Sequence, residues 1–568
     1  MVIPLFVYGC GASYAQTVPA AINADQELLR QQERENQLRR RQEPRPNVQL
    51  QAPAPLVSDV YLKRDEVPCF VIHRIVLTGK LSEKFQWLIR AAERTASGKQ
   101  DPPWNLCLGT ASINQIMQRM QNALITRGYV TSRVLASPQE LSAGVVELKF
   151  IPGRIRNIRF DAASSTRATQ WNAVPAQSGD VLNVRDIEQA LENFKRVPTA
   201  EADIQITPAE TTNGQVGESD IVIQWRQALP FRLSIGVDNS GSASTGRYLG
   251  STTLSYDHWW TLNDLFYLSL SHDLGGGDKG QRGSRGQVIH YSLPMGYWLM
   301  GFTSSSNRYY QQVAGSDGAV RYSGASDNHE IRFSRSAYRD AVRKTTASFA
   351  LWLRESSNQI NGDEVENQQR RMAGWDAGIA HRENINDAVL ELSANYRRGT
   401  GFWGALRAPE EITGTGTSRP QLARFNAKLN MPFTLGKQPF NYTVAFNAQH
   451  SFTNVVPQDR FAIGSRYTVR GFDEQNFLSS EHGWTLHNDI SLRLNQSPHL
   501  LYLGIDHGQV SGRSTRDLVG TQLTGAAIGM RGVVRQLSYD VFVATPLSKP
   551  QGFTSAAVNL GFTLNLAF

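Results

Sequence analysis

The sequence predicts a transmembrane β-barrel of sixteen antiparallel strands, preceded by two small α/β modules and an N-terminal helix. Residues 558–568 alternate between apolar and polar side chains, and their length suits a tilted strand that crosses a bilayer. About sixteen segments of this kind follow one another after residue 229, and an even number is expected of a bacterial barrel. Downstream of the N-terminus no window approaches the roughly 18 uninterrupted apolar residues of a membrane helix, so a spanning form has to be a closed barrel.

Length and charge set broad limits. A chain of 568 residues is long enough for several domains. The formal net charge of +8 would suit a nucleic acid or an anionic surface, but the basic residues are spread along the chain. Only 39–41 form a dense basic run, and no basic stripe with interleaved aromatic residues is present. We therefore expect no nucleic-acid partner.

Residues 1–15 have the apolar core of a secretory signal peptide, with Ser13 and Ala15 at the small positions before a cut ahead of Gln16. The segment is short and has no basic residue at its start, which leaves an initiator further upstream open. Cys10 stands in a poor lipobox, so a lipoprotein is the minor alternative.

Residues 16–43 predict a helix that is charged nearly all round. From residue 24 onward the segment has no Gly or Pro and is dense in good helix formers. The large apolar residues of that part are Leu28, Leu29 and Leu38, so the helix does not belong in a dry core. We expect it to be solvated or to lie in a polar, water-filled lumen. Residues 44–67 carry four prolines and predict an extended linker.

Strands and helices alternate between residues 68 and 228, which predicts two β-α-α-β-β modules at 68–153 and 154–228. The predicted strands are 70–78, 129–136, 145–151, 154–160, 202–206 and 220–225. The predicted helices are 85–95, 112–126, 171–174 and 184–194.

Cys69 and Cys107 are the two cysteines that remain once Cys10 leaves with the signal peptide. An even pair in an exported protein favours a disulfide. Closing a loop of this span would contribute about 4 kcal/mol on the chain-entropy model. Two buried free thiols are the alternative.

The region 229–568 is predicted to form the barrel. Within it, for example, Leu390, Leu392 and Ala394 alternate with polar neighbours. The terminal strand alone fits a half-buried strand of a soluble β-sandwich as well. Sixteen coordinated segments, however, are hard to fit into a sandwich, and they favour the membrane barrel.

A predicted loop at 453–483 carries an arginine at the tip of a turn, in the motif Val469, Arg470, Gly471 and Phe472. A guanidinium in this place is able to bind a carboxylate in a bidentate fork. Without further context, an ordinary surface hairpin arginine is the alternative.

The strand that starts at His499 offers such a carboxylate. By parity Gly504, Asp506 and Gly508 face the lumen, while residues 501, 503 and 505 face outward. A carboxylate with a glycine two residues to either side leaves a cleft for an approaching loop. Removing one partner of a buried pair costs roughly 3 to 5 kcal/mol, so neither charge should stay unpaired in a confined lumen. We expect Arg470 to bind Asp506.

The order of these parts resembles the outer-membrane transporters of two-partner secretion, the haemolysin secretion/activation family of the Omp85 superfamily. The shared parts are the signal peptide, polar helix, linker, two modules, sixteen-strand barrel and the VRGF loop before the twelfth strand. In that family the soluble modules are called POTRA domains. The resemblance covers essentially the whole chain.

Short motifs in the modules add to the resemblance. Cys69 after a proline and Cys107 before a leucine match the disulfide of the family's first POTRA domain. The run at 128–134, together with Gln139, Gly144, Pro152 and Gly153, matches that domain's end, and 182–189 matches the helix of the second domain.

The barrel wall carries a further match. Asp506 and Gly508 match the wall motif that pairs with the arginine of VRGF. Gly504 departs from the family, which usually has an aromatic residue there, and this leaves the packing around the pair open.

The resemblance implies a pore that exports one large, unfolded, Sec-delivered exoprotein across the outer membrane of a Gram-negative bacterium, without nucleotide. The sequence has no Walker-type glycine loop. The POTRA domains would lie in the periplasm and capture the N-terminal secretion domain of the partner by edge-strand pairing. The helix at 16–43 would plug the lumen at rest, and transport would need the VRGF loop.

The resemblance also implies the surroundings of the barrel. It would sit as a monomer in outer-membrane lipid and lipopolysaccharide, with Phe568 as the terminal signal for the barrel assembly machinery. No cofactor or metal is expected. Whether the exported partner is a haemolysin, an adhesin or a contact-dependent toxin stays open.

Three other functions are alternatives. An insertase that folds other barrels usually has more POTRA modules and lacks both the disulfide and the plug helix. A porin-like channel for small solutes would use the modules only as structure. An enzyme is disfavoured because the sequence has no metal-ligand spacing, no GxSxG elbow and no carboxylate pair placed by anything but chance.

Overall fold

The computed structural model describes residues 19–44, 46–50, 60–209, 217–315, 318–495 and 497–568. The predicted signal peptide at 1–15, including Cys10, lies outside the described residues, as do residues 16–18 of the predicted helix and residues 45 and 51–59 of the predicted linker.

An α-helix from Pro19 to Gln42 confirms the predicted N-terminal helix, and it lies inside the barrel. Among the described residues, no helix is long and apolar enough to cross a membrane.

The first module has strands Phe70–Ile72, Arg74–Thr78, Leu106–Leu108, Arg133–Ala136 and Val145–Ile151, the 3-10 helix Ser82–Phe85, and the helices Trp87–Ala92 and Thr110–Thr126. Val145–Ile151 is the central strand of a three-stranded sheet, parallel to Arg74–Thr78 and antiparallel to Arg133–Ala136. The longer helix buries apolar residues three or four positions apart against this core, namely Ile113, Ile116, Met120 and Leu124.

Cys69 and Cys107 form the predicted disulfide. The strands Phe70–Ile72 and Leu106–Leu108 pair with each other beside it, which brings the two cysteines together. Close by, the Glu66 carboxylate accepts hydrogen bonds from the amides of residues 111 and 112, at 3.0 and 2.8 Å, and so caps the longer helix.

The second module has strands Arg154–Phe160, Ala200–Pro208 and Glu218–Gln227 and the helix Val184–Lys195. Glu218–Gln227 lies between the other two strands. The helix predicted at 171–174 is wrong, because residues 171–173 form a turn. Pro175 disfavours a helical conformation of the residue before it. In addition, the carbonyl of Ala173 accepts a hydrogen bond of 2.7 Å from the side chain of Asn193.

Sixteen antiparallel strands close into a barrel, which confirms the predicted fold class. Numbered 1 to 16 in chain order, they are Phe231–Asp238, Tyr248–Asp257, Leu265–Gly275, Arg282–Met295, Trp298–Gly315, Gly318–Arg339, Arg343–Ile360, Arg370–Ile385, Ala388–Thr400, Gln421–Leu435, Gln438–Ser451, His482–Arg493, Leu500–Ser511, Gln522–Val534, Leu537–Ser548 and Asn559–Ala567. A two-residue strand, Asp363–Glu364, extends the pairing at the end of strand 7. Strand 16 pairs with strand 1 over Thr563–Ala567 and so closes the wall.

The two faces of the barrel wall differ in their side chains, which are polar toward the aqueous lumen and apolar toward the lipid. On strand 13, Leu501, Leu503 and Ile505 point outward and are 40 to 53% exposed, whereas Asp506 points inward and is fully buried. The lumen face therefore carries the polar groups that hold the inner elements.

Strands 5 to 7 are unusually long, with 18, 22 and 18 residues. A bilayer needs only about 9 to 11 residues of a tilted strand. The turn between strands 4 and 5, where Met295 pairs with Trp298, lies beside the second module. The excess length of strands 5 to 7 therefore projects from the opposite end of the barrel.

The loop between strands 11 and 12 spans 452–481. It ends two residues earlier than the predicted 453–483, because His482 and Gly483 already pair with strand 13.

Candidate functional site in the barrel lumen

The loop at 452–481 folds into the lumen. A two-stranded sheet of Phe461–Ile463 and Leu478–Ser480 forms its neck, and the turn at 469–472 lies beyond the neck. Val469 and Phe472 are buried in an apolar cluster with wall residues, and the ring of Phe472 meets that of Phe553 edge to face at 5.6 Å. This packing presses the turn against strands 13 and 14.

Arg470 lies against Asp506 of strand 13. Its Nε donates to Oδ2 at 2.6 Å and its Nη2 to Oδ1 at 2.7 Å, which is a bidentate fork. The backbone N–H of Arg470 also donates to Oδ2, at 3.0 Å. Because the two side chains are only 7% and 1% exposed, removing either charge would leave the other buried without its main partner.

Glycines make room for this approach. A Cβ at Gly504 would lie 2.2 Å from Arg470 Nη2, and a Cβ at Gly508 would lie 2.8 Å from Val469 Cγ2. Gly471 has a φ of +112°, a conformation that glycine adopts far more readily than other residues. The absence of a side chain at Gly504 therefore leaves the space that the guanidinium occupies.

Three residues around this pair were not predicted. Asp489 of strand 12 accepts from Arg470 Nη2 at 2.6 Å and from Arg531 of strand 14 at 3.0 Å. His487 Nδ1 lies 3.1 Å from Asp506 Oδ1. Strand pairing places His487 directly opposite Asp506, so parity on strand 12 combined with that register could have found His487 and Asp489.

A second charged residue of the loop, Asp459, is held on a different part of the wall. It lies in the 3-10 helix Pro457–Asp459 and its side chain is 1% exposed. Arg354 of strand 7 donates to Asp459 Oδ1 at 3.0 Å, and Gln449 of strand 11 donates to the Asp459 carbonyl at 2.7 Å. The loop is thus fastened at its neck as well as at its tip.

The helix Pro19–Gln42 shares the lumen with the loop. Its polar side chains bind inward-facing residues of strands 5 and 6 and the loop, through the pairs Asn307 to Glu35 (3.0 Å), Ser326 to Gln31 (3.0 Å), Arg39 to Glu330 (2.9 Å) and Ser465 to Glu33 (3.0 Å). At the end near the modules, Gln42 accepts from Arg232 at 3.2 Å and from Ser255 at 3.3 Å. Water can replace such polar contacts at modest net cost, unlike a large apolar interface.

The remaining predicted site residues lie elsewhere. Cys69 and Cys107 belong to the first module. Phe568 lies at the end of strand 16, where its N–H donates to the Leu233 carbonyl at 2.9 Å and its ring points outward, 64% exposed. Within the part of the chain that the structure describes, no group of three or more His, Cys, Asp or Glu could hold a metal ion.

Comparison with known families adds to this geometry. The model of the haemolysin secretion/activation protein family ShlB/FhaC/HecB matches residues 217–532. A POTRA-domain model matches residues 154–208, and a ShlB-type POTRA model matches residues 91–153.

Individual relatives cover nearly the whole chain. The outer membrane transporter CdiB-2 of Burkholderia pseudomallei (strain 1026b) is 33% identical, with 97% of this chain and 95% of the relative aligned. The hemolysin transporter protein ShlB of Serratia marcescens is 25% identical over 71% of each chain. The solved structure of CdiB from Acinetobacter baumannii matches with a TM-score of 0.84 at 28% identity, covering 97% of this chain and 100% of that one.

Proposed function

The chain belongs to the haemolysin secretion/activation protein family of ShlB, FhaC and HecB, and we propose that it exports one large partner exoprotein in two-partner secretion. Members of this family are outer-membrane transporters with periplasmic POTRA domains. The predictions of an outer-membrane location and of a protein that is not an enzyme are therefore confirmed.

The observation that supports the export proposal best is that the helix in the lumen is held there by polar contacts, which water can replace. Barrels of 16 to 18 strands enclose an aqueous channel. Here a helix, with a diameter of about 10 to 12 Å including side chains, lies in that channel through polar contacts. Once the helix leaves, the free width suits an extended or helical polypeptide, and no covalent bond or apolar core has to be broken.

The loop at 452–481 is proposed to be the second working part. Its tip pairs with Asp506 through Arg470, and its neck is held by Arg354. Two anchors, on strands 7 and 13, hold the loop in one position within the lumen, so that a moving polypeptide meets a defined channel instead of a free loop. We propose that transport needs the loop in this position.

We propose that the POTRA domains capture the N-terminal secretion domain of the partner. Arg133–Ala136 and Ala200–Pro208 are each one of the two outer strands of a three-stranded sheet, so each offers one edge to an added strand. Main-chain hydrogen bonds at such an edge suit an unfolded client. Neither capture nor passage along the wall requires nucleotide.

The same proposal covers the surroundings of the barrel. It would act as a monomer in outer-membrane lipid and lipopolysaccharide. Phe568, with its exposed ring at the seam of the barrel, would be read by the barrel assembly machinery.

The decisive experiment deletes the gene and follows the exoprotein encoded in the adjacent reading frame, which we expect to be very large and β-helical. The exoprotein should disappear from the medium, and a plasmid copy should restore it. Secretion that continues without the gene would contradict the proposal.

Two alternatives give different results in the same strain. A porin for small solutes would conduct steadily in planar bilayers, and its loss would leave exoprotein secretion unchanged. An insertase would, on deletion, lower the amounts of other outer-membrane barrels.

A further inference from the structure

A short stretch of the linker, residues 46–50, lies in a groove on the second POTRA domain. The side chains of Val48 and Leu50 are half-buried and pack against the core of that domain, whereas Gln49 between them is exposed. This alternation is that of an extended chain with one face bound.

Two carboxylates of the POTRA helix Val184–Lys195 bind the backbone of this stretch. The N–H of Val48 donates to Glu192 Oε1 at 3.0 Å, and the N–H of Leu50 donates to Glu188 Oε1 at 2.9 Å. Four residues of a helix rise about 6 Å, and two residues of an extended chain span about 6.6 Å. The helix therefore presents two acceptors at the spacing of alternate amides, as the edge of a sheet would.

The barrel completes the groove. Arg339, at the end of strand 6, donates to Glu188 Oε2 at 2.8 Å and to Glu192 Oε1 at 2.9 Å, and it also binds the carbonyl of Val48. Lys344 of strand 7 binds Glu192 as well. Both glutamates are nearly fully buried, so the domain, the linker and the barrel share one network of charges whose members depend on one another.

These contacts select an extended backbone more than a particular amino-acid sequence. They engage main-chain N–H groups, one main-chain carbonyl and two apolar side chains that stand two residues apart. Many unfolded polypeptides contain such a segment. The linker is the occupant in this structure, and it joins the helix Pro19–Gln42 through residues 43–45 alone.

We propose that this groove is a binding site for extended segments of the unfolded exoprotein with apolar residues at alternate positions, and that the linker fills it in cis at rest. The inference rests on the proposed export function, which supplies unfolded polypeptide to the periplasm. An incoming segment displaces residues 46–50, and the released linker lets the helix leave the lumen. Capture of the partner and opening of the pore are then coupled, because the partner segment replaces the linker in the groove.

The test uses the full-length protein in detergent and a fluorescent peptide with the sequence of residues 44–50. The double variant Val48→Asp/Leu50→Asp removes the apolar anchors of the tethered linker, and Gln49→Asp adds a charge at the exposed position as the matched control. A tethered competitor acts at an effective concentration on the order of millimolar. We therefore expect the double variant to bind the peptide at least about tenfold more tightly than the wild type or Gln49→Asp.

The same three proteins are then compared in planar bilayers, where the double variant should open more often than the other two. Migration of the unheated protein on gels checks that the barrel is folded, and Val48→Ala/Leu50→Ala replaces the double variant if it is not. Equal peptide affinity in all three proteins, or equal opening, overturns the proposal. Secretion of the exoprotein by the wild type tests the export function separately, so the two failures are distinguishable.

Discussion

At the scale of single residues, buried charge pairs hold the inner loop. Replacing Arg470 by Ala should lower export of the exoprotein at least about tenfold while the barrel stays in the membrane. The reason is that the loop tip loses its fork with Asp506, a change that costs roughly 3 to 5 kcal/mol for a buried pair. Immunoblots of medium and outer-membrane fractions measure both effects.

Arg531→Ala is the matched control. Arg531 binds Asp489 at 3.0 Å, as Arg470 does at 2.6 Å, but it belongs to the wall and its side chain is 38% exposed. Normal secretion by the Arg470 variant, or an equal defect in both variants, would remove the loop from the mechanism.

The anchor at the neck of the loop predicts non-additive effects. Asp459→Ala leaves Arg354 without its partner, and Arg354→Ala leaves a buried carboxylate, so each single variant should loosen the loop. Removing both charges should be no worse than either single change, with a coupling of about 0.5 to 3 kcal/mol. Hydrogen exchange of the loop at 452–481 in the full chain measures this, and simply additive effects would refute the anchor.

At the scale of elements, the lumen helix is the part expected to move. Deleting residues 16–43 behind an intact signal peptide should raise single-channel conductance, because the helix and its polar contacts no longer fill the channel. Planar-bilayer recordings measure the current. Unchanged conductance would show that the helix does not block the pore.

The disulfide belongs to the same scale. The cysteines are 38 positions apart, and on the chain-entropy model a crosslink of this span contributes about 4 kcal/mol. Cys69→Ser/Cys107→Ser should therefore speed hydrogen exchange in the first POTRA domain and leave the barrel strands unchanged. Equal exchange in that domain with and without the crosslink would show that other contacts determine its stability.

At the scale of the whole molecule, the features that depend on local sequence patterns were predictable. The alternation of apolar and polar residues along each segment predicted sixteen strands and a closed barrel. The pairing of Arg470 with Asp506 followed from strand parity together with the resemblance to a known family.

What depends on contacts between distant segments was not predictable. Asp489 needed the register between strands 12 and 13, and the pairing of Asp459 with Arg354 needed the path of the loop through the lumen. The helix predicted at 171–174 failed because Asn193 and Pro175 favour a turn. The groove for residues 46–50 joins three segments that are far apart in sequence, so no single stretch of the chain indicates it.

The length of strands 5 to 7 determines how far the barrel extends beyond the membrane. At about 3.3 Å per residue the 22 residues of strand 6 reach roughly 70 Å, while the apolar band of an outer-membrane barrel is about 25 Å tall. Even with a steep tilt, this hairpin rises well clear of the lipid. Antibodies, bacteriophages and neighbouring cells would meet it before any other part of the wall.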